Sequence, residues 1–185
     1  MSATTAAPHP RIAELLAELE QSRRELLSVV QALPESQRDA APVGDAWSVS
    51  QILEHLSIVE DSGGRLISKL MKQAQEAGAF ESDASSVLGS LDAFGFEDQT
   101  RRIEAPDMVC PKSGLTTAQA LERMQAVRER LVEKLLQGSG LALGTVSFPH
   151  PIFGPLNGYQ WILTIAKHER RHMAQITRQT RPEQS

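Results

Sequence analysis

The stretch NGYQWILTIAKHERRHMAQITR, residues 157–178, contains no proline and spaces its apolar side chains as a helix does. Asn157 can cap it, Gln160 completes a capping box three residues on, and Leu156 can staple to Trp161. Residues three and four apart share a helical face, so Trp161, Ile165, His168, His172 and Gln175 form one stripe. Trp161 and Ile165 turn that stripe toward a core, and the two histidines go with it. Burying two imidazoles without partners is costly, whereas a metal ion satisfies both at once.

A second helix opens with the same device. Ser48 caps, Gln51 completes the box, and Trp47 can pack on Ile52. Its apolar positions, Ile52, Leu53, Leu56, Val59, Leu66, Ile67 and Leu70, continue until near Gly78. His55 shares a face with Ile52 and Val59 and so points inward. Gly63 and Gly64 interrupt this helix at about 1 kcal/mol each relative to alanine, which close helix packing or room for a ligand would explain. Glu54 adjoins His55 but points to another face.

Two more helices complete the set. The first predicted helix runs from about Pro10 to Leu33, with Ile12, Leu15, Leu16, Leu19, Leu26, Leu27, Val30 and Leu33 apolar, and with Glu14, Glu18, Arg23 and Arg24 left to solvent. Pro34 stops it, and 34–46 reads as a loop. The third starts near Thr116, with Gln119 boxing its cap, and carries Leu121, Met124, Val127, Leu131 and Leu135 as far as Gly138. Between helices two and three the periodicity fails over 80–115, a long connection with room for a short helix near 85–91. Residues 141–156, with Pro149, Pro151 and Pro155, read as a stiff loop with a weak strand signal at 145–148. Four amphipathic helices and no convincing sheet make an all-α four-helix bundle spanning about residues 10–180, with frayed ends at 1–9 and 181–185.

Composition excludes several function classes. The chain has 185 residues, 41% hydrophobic and 23% charged, with a net charge of −4 and no basic cluster to meet nucleic acid. No apolar run approaches the roughly 20 residues of a membrane span. Cys110 is the single cysteine, so no internal disulfide forms, and a cytoplasmic location is expected. That cysteine has no identifiable base beside it and reads as an ordinary free thiol. His150, between two prolines, reads as structural or solvent-facing.

Three neutral imidazoles, His55, His168 and His172, would bind a divalent transition metal and leave a coordination position open. His168-Glu169-Arg170-Arg171-His172 also matches the His-Glu-x-x-His motif of zinc proteases. Those enzymes recruit a third ligand downstream of the motif. Only 13 residues follow His172, and Glu183, beyond Pro182, is the sole possible ligand among them. Protease chemistry is not expected. Glu169 is a candidate general base or ligand-orienting group; its alternative is a surface glutamate paired with Arg171 or with a neighbouring helix. Gln175 is a candidate to hydrogen-bond a ligand imidazole or the metal's water.

Trp47-Ser48-Val49-Ser50-Gln51-Ile52-Leu53-Glu54-His55-Leu56, His150-Pro151-Ile152-Phe153-Gly154-Pro155-Leu156 and His168-Glu169-Arg170-Arg171-His172-Met173-Ala174-Gln175-Ile176 together resemble the DinB/YfiT-like superfamily of metal-dependent enzymes. The resemblance covers nearly the whole chain. It implies an up-down-down-up four-helix bundle, often a homodimer, with zinc or nickel held by His55, His168 and His172 at one end. It further implies a small-molecule substrate, in some members a low-molecular-weight thiol. Metal-assisted hydrolysis or thiol transfer is therefore the expected activity. The alternative is a non-catalytic bundle, metal-stapled, that serves dimerisation or ligand binding.

Overall fold

The computed structural model describes residues 7–40, 44, 46–96 and 104–180. Four long helices dominate it: α1 (Pro10–Ala32), α3 (Val49–Glu76), α4 (Thr117–Gln137) and α5 (Gly158–Gln179). Their starts are set locally. Ser48, Thr116 and Asn157 each accept the N–H three residues on, and Gln51, Gln119 and Gln160 each reach back to the cap, so all three expected capping boxes form. Pro10 occupies the first turn of α1, where a missing N–H leaves no bond unmade.

Several local readings change. A single helical turn, α2 (Glu35–Arg38), interrupts the expected 34–46 loop. The short helix expected near 85–91 is a 3-10 stretch at Leu88–Phe94, and a 3-10 turn, Asp107–Val109, lies further along the connection. The stiff loop contains a two-stranded antiparallel hairpin, β1 (Ser147–His150) and β2 (Gly154–Asn157), in which His150 pairs with Gly154. Gly154 takes a positive φ of 76°, a conformation that makes the reversal easy for glycine. His9, expected in the frayed start, caps α1, and its N–H donates to Ser139 Oγ at 2.6 Å. The remaining expectations of fraying, for 1–6 and 181–185, lie outside the described residues.

Helix α3 packs chiefly on α4, and α1 chiefly on α5; α3 against α5 joins the two pairs. Gly63 faces α5 across an ordinary contact: a Cβ on it would sit 3.6 Å from Ile165 Cδ1, so the glycine lies at the α3–α5 packing surface rather than beside a ligand. The start of α1, the end of α3, the end of α4 and the start of α5 meet through Glu81. Its carboxylate accepts from Arg11 Nη1 at 2.9 Å and the Tyr159 hydroxyl at 2.7 Å, and its N–H donates to Gly140 O at 2.9 Å.

The apolar interior has two parts. One cluster holds Ile12, Leu15, Leu19, Ile67, Leu131, Leu135, Ile162 and Ala166; the other holds Leu26, Val30, Ile52, Leu53, Leu56, Ala120, Met124 and Ile176. Between them every long helix places one buried charge: Arg23, Glu60, Arg128 and Glu169. Arg23 was expected in solvent; it is 5% exposed because Glu60 and Glu169 neutralise it inside. No helix among the described residues is long and apolar enough to cross a membrane.

Candidate metal centre

His55 lies in the second turn of α3, and His168 and His172 lie one turn apart from the middle of α5 onward, so two capped helices set the rotation of all three rings. The structure brings the three expected residues together. Their ligating nitrogens all fall within 4.8 Å of one another. His168 Nε2 is 3.3 Å from His55 Nε2 and 3.0 Å from His172 Nε2. A tetrahedral ion with metal–nitrogen bonds of about 2.0–2.1 Å asks for nitrogens about 3.3 Å apart.

The outer nitrogens fix which atoms face that point. His55 Nδ1 donates to Val109 O at 2.8 Å, because a carbonyl can only accept. His172 Nδ1 donates to Gln175 Oε1 at 2.8 Å. Both rings therefore turn a bare Nε2 lone pair inward. A proton on His168 Nε2 can serve one of these lone pairs, not both. Such a donor set suits a cation, and the residues present fit a divalent metal ion.

Electrostatics agree with neutral rings. Burial lowers the His55 pKa, partly offset by its bond to Val109. Burial, then His172 and His55, push His168 well below its ordinary value. Burial, then His55, bring His172 to about 3. His55 is buried, while His168 and His172 are half-buried. The Trp47 ring lies 4.8 Å from the His55 ring and limits its motion.

Glu169 meets partners other than a metal or a substrate. Its carboxylate accepts from Ser22 Oγ, from Arg23 Nε at 2.8 Å and from Arg128 Nη2 at 3.0 Å, and it is 1% exposed. These contacts pair Glu169 with neighbouring helices, α1 and α4, but in the interior and not at the expected surface position, because two arginines neutralise it there. A general base needs a free lone pair directed at substrate.

Two participants escaped the sequence reading. Val109 contributes only a carbonyl, which no residue type announces. Glu54, expected on an unrelated face, is 1% exposed and accepts from Lys112 N at 3.1 Å and Ser113 N at 2.9 Å. Burial alone would raise its pKa; the bonds from Ser113 and Lys112 and the charge of Arg123 outweigh it and hold the carboxylate ionised. Neighbouring positions 54 and 55 thus fasten residues 109–113 to α3. Cys110 lies beside this clasp with its sulfur 3.7 and 3.6 Å from the carbonyls of Ala105 and Pro106. His150 is neither ligand nor fully solvent-facing: its ring lies 5.0 Å from both Trp161 and Phe153.

Comparison with known proteins agrees with this picture. A sequence model of the DinB superfamily matches residues 18–176. The uncharacterized protein YuaE of Bacillus subtilis (strain 168) is 23% identical over 157 residues, 84% of this chain and 91% of that protein. The crystal structure of TT2238, a four-helix bundle protein, superposes with a TM-score of 0.59 at 23% identity, covering 89% of this chain and 96% of the other. That likeness speaks to the fold.

Proposed function

We propose, from the premise that this chain belongs to the DinB superfamily, that His55, His168 and His172 hold one divalent transition metal ion, zinc or nickel, with a coordination position open to a small-molecule substrate. The convergence of three Nε2 atoms, two of them with tautomers fixed by Val109 and Gln175, carries this reading. The reaction is metal-assisted hydrolysis or transfer of a low-molecular-weight thiol. When bound, the ion supplies Lewis acidity, polarising a carbonyl and favouring the deprotonated form of water or thiol.

The chain's own residues do the positioning. Val109 O and Gln175 Oε1 hold the protons of His55 and His172 on Nδ1 and so keep the inner lone pairs available. Trp47 packs against one ligand ring. Glu169 acts through the helices it binds and takes no proton from substrate in this proposal.

Further parts of the reading are a single domain over residues 10–180, an up-down-down-up helix order, a homodimer and a cytoplasmic location. The shared end formed by His9, Glu81, Ser139 and Tyr159 supports that helix order. One cysteine and a net charge of −4 favour a reducing compartment and no nucleic-acid partner.

Metal content is the direct test. About one zinc or nickel ion per chain is expected in purified protein and a large loss in His172→Ala; near-zero content in both ends the proposal. Activity screens of metal-loaded protein against hydrolase substrates and thiol acceptors then separate the two reaction classes. One observation favours a non-catalytic second reading: the ligands come from helices in different packing pairs, so an ion would also staple those pairs. A chelator that collapses the fold, together with a metal bearing no exchangeable ligand, would select that reading.

A further inference from the structure

The ligand-bearing helices have different main partners, α3 packing on α4 and α5 on α1. Leucine-rich faces tolerate small shifts in register, since apolar contacts are not directional. A metal site does not tolerate them. Its ligands must stay within roughly 0.5 Å of productive geometry, and sliding by one residue moves a side chain about 1.5 Å along and 100° around the helix. Something directional has to hold one helix pair against the other.

Only one buried polar assembly among the described residues touches all four long helices. The ligand helices carry its two carboxylates, Glu60 on α3 and Glu169 on α5. Their partner helices carry its two guanidiniums, Arg128 on α4 and Arg23 on α1. Within the pairs, Arg23 Nε binds Glu169 at 2.8 Å, and Arg128 Nε binds Glu60. Across the pairs, Arg23 Nη2 reaches Glu60 at 2.6 Å and Arg128 Nη2 reaches Glu169 at 3.0 Å. Each arginine fork therefore clamps both ligand helices at once. The backbone is engaged too: Arg23 Nη1 donates to Met124 O at 3.2 Å and Arg128 Nη1 to Leu19 O. Glu169 adjoins His168, and Glu60 lies five residues beyond His55.

We infer that Arg23, Glu60, Arg128 and Glu169 are positioning residues that set the register of α3 against α5 and thereby the spacing of the three imidazoles. This rests on the proposed metal site and adds the device that holds it in shape. Stability alone is a poor explanation for such a group. Buried ion pairs are often matched or exceeded in stability by apolar side chains of similar volume, and directional register is what those side chains cannot supply.

Cobalt(II) titration of the full chain tests the inference, because the ion's visible bands report coordination geometry and its dissociation constant reports ligand placement. Glu60→Gln keeps the shape of the side chain and removes its charge. The expected result is cobalt bound at least tenfold more weakly, with altered bands, by protein whose helical circular dichroism is retained. Arg128→Lys keeps the charge but loses the fork that spans both carboxylates; a smaller weakening with a similar spectral change is expected. Arg130→Gln, which breaks only a surface pair with Asp61, should leave both readouts unchanged. Wild-type affinity and bands in folded Glu60→Gln overturn the inference. If that variant does not fold, the same result in Arg128→Lys overturns it. Absence of cobalt and zinc binding by the unaltered protein is a different outcome, which removes the metal site and the inference together.

Discussion

Gln175 and Val109 show how small groups govern a large one. Neither touches the point where the nitrogens converge, yet each holds a proton on the outer face of a ring and so exposes the inner lone pair. Gln175→Leu keeps the bulk and removes the acceptor; metal affinity is expected to fall about ten- to a hundredfold, measured by competition with a chromophoric chelator. Unchanged affinity would mean that Gln175 has no part in orienting His172. The histidines were legible in the sequence because spacing on a capped helix fixes a face. The buried charges were not. Residue type points Arg23 to solvent, although it stands four residues after Leu19 and three before Leu26, inside the apolar stripe. Arg128 between Met124 and Leu131 repeats the pattern, as does Glu60 beyond Leu56. A charge at a stripe position on every long helix was the available signal. Which charges pair depends on contacts between residues far apart in sequence, as with Arg23 and Glu169.

At the scale of elements, helix starts were readable and the segments between helices were not. A capping box needs only residues three positions apart, so Ser48, Thr116 and Asn157 reveal themselves. The hairpin at 147–157 hides because three prolines mask its strand character, and its pairing is too short to show alternation. Its end is packed tightly. A Cβ on Gly158 would lie 2.9 Å from Leu143 Cβ and 3.0 Å from Leu143 O, which is backbone and cannot swing aside. Gly158→Ala is therefore expected to cost about 1–3 kcal/mol by urea denaturation. Asn157→Ala, next to it, loses a cap and should cost about 1 kcal/mol. A neutral Gly158→Ala would show that the 141–146 segment moves freely relative to α5.

For the whole molecule, acid is the informative perturbation. The three imidazoles have folded pKa values below the ordinary 6.5, His172 at about 3. The unfolded chain therefore binds more protons than the folded one below about pH 6.5. Metal-free protein should lose stability progressively as pH falls from about 6.5 toward about 3, and gain nothing from these groups above about pH 7. Urea midpoints of chelated protein at pH 7.5 and pH 5 measure this, and a profile flat across that range would contradict the buried, neutral rings. The belt of charge at mid-height has a different consequence. It divides the interior into two short oily compartments, each spanned by every long helix yet out of touch with the other's leucines. Such a molecule has a natural waist at which opening can halt. Native-state hydrogen exchange should accordingly sort the amides around Leu15 and Leu135 from those around Leu53 and Met124, with the two families released at different urea concentrations.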